Sequence, residues 1–185
     1  MKPIKKIILF ALLLITTWSA EAFSNSPAPI ANESKLDFFH TFNGSLPAQL
    51  AITKEKNKFG LVLFFGTTHC PFCHRMKTTV LTEPAVQQYY RQHFQLIDMD
   101  IESEALITTQ NDINVSYIEL SKSHRVRLTP TISFIDTRGI TVYRHVGMIV
   151  DPQEFLWLGE YVFSGQTSKQ SFASYKTKKR QLPKQ

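Results

Sequence analysis

The sequence predicts an α/β domain: a central mixed β-sheet flanked by helices on both faces. Three observations lead there. Leu61-Val62-Leu63-Phe64-Phe65 is a continuous apolar run, the pattern of a strand buried on both sides. Strand and helix patterns alternate around it, with the next strand at 96–101, and that alternation implies a parallel pair. Later, 131–135 and 140–146 flank Asp136-Thr137-Arg138-Gly139, the turn chemistry of a hairpin that adds antiparallel strands.

The elements follow in order. Ser45-Leu46-Pro47 reads as an N-cap with proline in the first turn, so a helix is expected over about 46–57, with Gly60 as its stop. Strand 61–65 leads into the loop 66–69, and Cys70-Pro71-Phe72-Cys73 opens a second helix. Thr82-Glu83-Pro84 starts or kinks a further helix, with Val86, Tyr89, Tyr90 and Phe94 as core contacts. After strand 96–101, the polar stretch 102–115 reads as a loop or small insertion. Ser116 with Glu119 forms a capping-box pattern for a helix over 117–124. Beyond the hairpin, Asp151-Pro152-Gln153-Glu154 reads as another capping box. Phe155, Leu158 and Val162 recur there at helical spacing, and Gly165 stands where a C-terminal cap belongs.

Charge and composition exclude several classes. The chain has 185 residues, a net charge of +6 and 43% apolar residues, enough for one domain with a real core. The positive charge sits at the ends. Residues 1–22 hold Lys2, Lys5 and Lys6 against Glu21, and residues 166–185 hold six basic residues and no acid. The body, 23–165, carries twelve basic and fourteen acidic residues. A nucleic-acid-binding domain concentrates positive charge on its folded body, so no nucleic-acid partner is expected.

The first 22 residues read as a secretory signal peptide: a lysine-bearing start, a short apolar run and the Ala20-Glu21-Ala22 cleavage pattern. Export to the periplasm and a soluble mature protein are therefore expected. Residues 23–44 form an N-terminal extension that begins rich in Pro, Ser and Asn, and 45–165 form the domain. Residues 166–185 form a basic tail, with Phe172 and Tyr175 on one face of a short, loosely docked helix.

The two cysteines are the whole thiol inventory, and they lie three positions apart where a buried strand gives way to a helix. First-turn N–H groups and the helix dipole favour a thiolate there. Cys70, at the outer edge, is the expected nucleophile. Cys73, one turn inward, is the expected resolving thiol. Pro71 fixes the backbone between them, and Phe72 offers an apolar contact to a substrate. His69 is a candidate for tuning the Cys70 thiol, and His74 reads as a helix-surface residue.

This pattern, with Thr129-Pro130-Thr131 about 60 residues downstream of the cysteines, resembles the thioredoxin superfamily over roughly 45–165. The nearest likeness is to exported bacterial thioredoxin-like proteins of the SoxW type. The resemblance implies a thioredoxin-like fold and a thiol-disulfide oxidoreductase without a cofactor, a reductase of protein disulfides ahead of a thiol oxidase or isomerase. It implies that Pro130 is cis and faces the cysteines, with Thr129 lending backbone groups to an extended substrate. The expected partners are protein thiols and disulfides and a membrane electron donor or acceptor. Too few residues precede Gly60 for the extra dimerisation domain of the isomerases, so a monomer is expected. One departure stands out. Many cytosolic thioredoxins carry a buried Asp six residues before the first cysteine, where this chain has Phe64; Glu83, Asp98 or water are the candidate substitutes.

Two rival chemistries share these residues. Cys70-Pro71-Phe72-Cys73-His74 matches the c-type haem attachment motif. Cys70 and Cys73 with His69 or His74 would also suit a zinc or copper ion. The strand-rich pattern disfavours the haem reading. The lack of a further ligand cluster disfavours the metal reading, so no metal is expected.

Overall fold

The computed structural model describes residues 38–181. The expected signal peptide lies outside the described residues. Among the described residues, six α-helices surround a four-stranded sheet, with a small two-stranded sheet beside it. The chain order is α1 (Leu46–Glu55), β1 (Gly60–Gly66), α2 (Pro71–Thr79), α3 (Pro84–His93) and β2 (Phe94–Asp100). Then come β3 (Leu106–Thr108), β4 (Asn114–Ser116), α4 (Tyr117–Ser123), β5 (Thr131–Asp136), β6 (Thr141–Val146), α5 (Pro152–Phe163) and α6 (Phe172–Gln181).

The main sheet runs β2-β1-β5-β6. β1 pairs with β2 in parallel, and β5 pairs antiparallel with both β1 and β6. Every residue of β1 is buried, as its continuous apolar run requires. Alternate β1 side chains feed two cores. Val62 and Phe64 meet α2, α3 and α5 on one face; Leu61, Leu63 and Phe65 meet α1 and α4 on the other.

Gly60 does not stop α1. The helix ends at Glu55 with Lys56 as its C-cap, followed by Asn57 in the left-handed region (φ 51°). Gly60 instead begins β1, and a Cβ there would stand 1.9 Å from the Ile135 carbonyl oxygen. The glycine is a close-approach residue between two strands, a role that local pattern does not reveal. At Asp151 the N-cap forms, but its side chain accepts from the Gln153 N–H and no capping box closes. Glu154 is drawn away by Lys176 and Arg180 of α6. The box at Ser116 and Glu119 does form in both directions.

The stretch 102–115 is not a plain loop. It folds into the β3–β4 hairpin, which turns through Asp112 at φ 57°. Ile107 is fully buried in the α1–α4 core and anchors it. The signal was a single apolar residue in polar surroundings, too short for periodicity to register.

The core also extends beyond both ends of 45–165. Phe38 and Phe39 pack on the α2–α5 side, and the His40 N–H donates to the Leu96 carbonyl at 2.8 Å. The Leu96 N–H returns a bond to His40 Nδ1 at 3.0 Å. At the other end α6 is not loosely docked. Phe172 is buried against Tyr161 and Tyr143, and Lys176 and Lys179 pair with Glu154 and Glu160 of α5. Much of the tail's basic charge is therefore spent within the fold.

Candidate active site

β1 delivers the chain to one end of the sheet, where residues 67–69 turn into α2. Cys70 is the N-cap of α2 in extended conformation, and Pro71 occupies the first helical position, where its missing N–H costs nothing. Cys70 and Cys73 are joined in a disulfide with Cα atoms 5.2 Å apart. The Cys73 N–H donates to Cys70 Sγ at 3.1 Å. In the reduced state the same first-turn donor and the α2 dipole would favour a Cys70 thiolate.

Burial ranks the two sulfurs. Cys70 is 8% exposed and Cys73 only 2%. Cys73 Sγ lies 3.3 Å from the position a Cβ would take on Gly66, so glycine leaves room for the sulfur. Cys70 is therefore the more accessible of the two sulfurs.

The sheet register brings the second half of the site to this end. Thr131 stands opposite Phe65, so Pro130 falls level with Gly66, on which Cys73 packs. The Thr129–Pro130 peptide bond is cis, Pro130 is buried and Thr129 is half-buried. The Pro130 carbonyl accepts from Gly147, which ties the loop to the end of β6. The backbone N–H and C=O of Thr129 make no hydrogen bond among the described residues, so they are open to an extended chain. Phe72 is 58% exposed on one side of the cysteines. Leu128, 66% exposed, precedes Thr129. Leu128 was missed in the sequence; an apolar residue in the basic stretch just before Thr-Pro was the available signal.

The histidines contribute less. His69 is exposed and makes no hydrogen bond, ion pair or ring contact among the described residues. No contact holds it against a sulfur. His74 is exposed on α2, as the helix reading expected, and lines a cavity of about 300 Å³ with Phe38, Phe39, Lys77, Thr78 and Asp98. Among the described residues, no group of three or more His, Cys, Asp or Glu side chains is placed to hold a metal ion.

Phe64 occupies the place where relatives carry a buried acid. Its ring is buried, with Lys77 Nζ 5.3 Å from its centroid. Beyond it Lys77 pairs with Asp98 at 2.5 Å. Asp98 stands opposite Phe64 in the β1–β2 register, so a carboxylate is one strand away on the same face. Glu83 is exposed at the start of α3 and makes no cap hydrogen bond.

A mixed sheet of this order, with a Cys-x-x-Cys disulfide at a strand-to-helix junction, defines a disulfide oxidoreductase of the thioredoxin-like fold. The chain belongs to the thioredoxin-like domain family, whose profile matches residues 46–163. Among solved structures it is similar to a thioredoxin-fold protein from Helicobacter pylori. The two are 22% identical with a TM-score of 0.64, over 80% of this chain and 96% of that one. It is also similar to a Bacteroides thetaiotaomicron protein provisionally assigned as a disulphide-isomerase. Here identity is 26% and the TM-score 0.53, over 72% of this chain and 93% of that one. No curated protein matches the chain.

Proposed function

We propose that the chain is an exported reductase of protein disulfides, active in the periplasm through Cys70 and Cys73. The observation that carries the site assignment is the graded burial of the two sulfurs at the start of α2, beside an unpaired strand of backbone at Thr129. The cycle balances as two exchanges. The Cys70 thiolate attacks a substrate disulfide, forming a mixed disulfide and releasing one substrate thiolate. The Cys73 thiolate then attacks Cys70 Sγ, releasing the second substrate thiolate and closing the Cys70–Cys73 bond. Two electrons pass to the substrate, and a membrane dithiol donor restores the pair.

The substrate lies extended along Thr129 and Pro130, with Phe72 and Leu128 as apolar lips. Export rests on the signal-like residues 1–22; no described helix is long and apolar enough to cross a membrane. The mature protein acts as a soluble monomer.

Equilibration with glutathione buffers, followed by thiol alkylation and intact mass, tests the direction. A potential toward the thioredoxin end, about −270 mV, supports a reductase; one toward about −120 mV makes the protein an oxidase instead. Cys73→Ser should trap mixed disulfides at Cys70 and stop multiple turnover. Full turnover by that variant would sink the mechanism.

A further inference from the structure

On the face of the sheet opposite α2, the C-terminal end of α4 and strand β6 enclose an open groove of about 370 Å³. Ser123, His124, Arg125, Ser133 and Arg144 are among its lining residues. None of these belongs to the thiol site.

Ser133 is the unusual member. It lies on β5, level with Leu63 on β1 and Arg144 on β6, so the three side chains share one face. Leu63 and Ile135 beside it are buried and apolar, and Ser133 itself is fully buried. Its hydroxyl has no hydrogen-bond partner among the described residues, yet it lines the groove. Buried hydroxyls are nearly always paired, so an unpaired one at the floor of a groove marks where a ligand atom belongs.

The rest of the lining carries two arginines, and the backbone acceptors beside it are occupied. The last carbonyls of α4 are already used. Leu120 accepts from the Ser123 hydroxyl and the His124 N–H, Ser121 accepts from Val126, and Lys122 accepts from Arg125. The His124 carbonyl accepts from Arg144 Nη1 at 2.7 Å, which ties that guanidinium to the end of α4. Among the described residues, no carboxylate lines the groove. The Arg125 guanidinium makes no ion pair or hydrogen bond among the described residues, and Arg144 spends only one of its N–H groups there. What remains in the lining is two arginines together with the unpartnered Ser133 hydroxyl. Two arginines in one lining repel a cation and favour an oxyanion.

We propose that this groove binds an oxyanion, a carboxylate or phosphate-type group held by Arg125 and Arg144 and hydrogen-bonded by Ser133. The anion is either free in solution or a carboxylate carried on a polypeptide.

The test uses the full chain, oxidised and isotope-labelled, titrated with sodium phosphate against a sodium chloride series of matched ionic strength. Amide NMR shifts report binding. Saturable shifts at residues 123–126, 133 and 141–144, in phosphate only, are expected. Arg125→Gln and Ser133→Ala should each weaken binding by about fivefold or more, the loss of one charge-assisted hydrogen bond. Lys178→Gln, on the exposed face of α6, should leave it unchanged. Arg125 is exposed and Ser133→Ala removes a single oxygen, so unchanged resonances elsewhere certify both folds. A short oligoglutamate peptide that binds tighter than phosphate assigns the carboxylate to a polypeptide; the reverse order assigns a free anion. Equal shifts in chloride, or phosphate binding that Ser133→Ala leaves intact, would overturn the proposal.

Discussion

Replacing Phe172 by alanine measures how firmly the C-terminal helix belongs to the domain. Phe172 is the first residue of α6 and is 5% exposed. Its ring centroid lies 5.4 Å from that of Tyr161, 6.5 Å from Tyr143 and 6.2 Å from His145. Lys176 Nζ stands 5.1 Å from the ring. Truncating a buried Phe to Ala costs about 3–5 kcal/mol, and a site at a helix start can partly collapse, so about 3 kcal/mol is expected. For a chain of this size that is a fall in Tm of about 6–12 °C. The assay is urea unfolding of the oxidised protein followed by far-ultraviolet circular dichroism, with Lys178→Gln as an exposed control. The control should stay within about 0.5 kcal/mol of the parent. A loss below about 1 kcal/mol for Phe172→Ala would refute the reasoning, because α6 would then rest on the domain without being part of its core. The rate of disulfide exchange at Cys70 should not change, since Phe172 touches neither sulfur.

Three further outcomes follow from the same geometry. Gly60→Ala should destabilise the protein by more than about 3 kcal/mol, because the new methyl meets the Ile135 carbonyl in the middle of the sheet; chemical denaturation reads this directly. Burial, then the charges of Lys58 and Arg91, lower the His40 pKa to about 4, so the fold favours the neutral ring. That contribution is complete above the unfolded value near 6.5 and fades as pH falls from there through 4; after discounting for solvent screening it is about 1–2 kcal/mol. His40→Gln should flatten this limb of the stability profile, although His124 and His145, lowered mainly by burial, keep a residual slope of the same sign. Phe72→Ala should raise KM for a folded protein disulfide by about threefold to tenfold while leaving reduction of a small aromatic disulfide nearly unchanged, since only the protein substrate spans the lip.

The sequence carried the site further than it carried the edges of the domain. The Cys pair was legible because a five-residue apolar run and a proline at the first helical position place it at a strand-to-helix junction by local rules alone. Pro130 reached the same end of the sheet through the resemblance. The physical cause, the Thr131–Phe65 register, is non-local and is set by pairing across 66 positions. The hairpin at 102–115 was not legible, because Ile107 is a lone anchor with no period around it. The docking of α6 was hidden for a different reason. Its lysines read as part of a loosely docked basic tail until their partners, Glu154 and Glu160, are found one helix earlier. Gly60 misled because a glycine after a helix and a glycine under a neighbouring carbonyl look the same in one dimension.

The outermost strand, β6, has a consequence for how the protein behaves in a crowd. Its free edge offers a row of backbone groups to any passing strand, the usual starting point for sheet growth between molecules. Two features spoil the template. The pairing of β5 with β6 slips between Phe134 and Ile135, which twists the edge away from a flat ribbon. Arg144, midway along the strand, is exposed and tethered to His124, so a second chain zipping onto β6 would have to accommodate its charge. The sheet thus ends in an edge that is unattractive to copies of the same molecule.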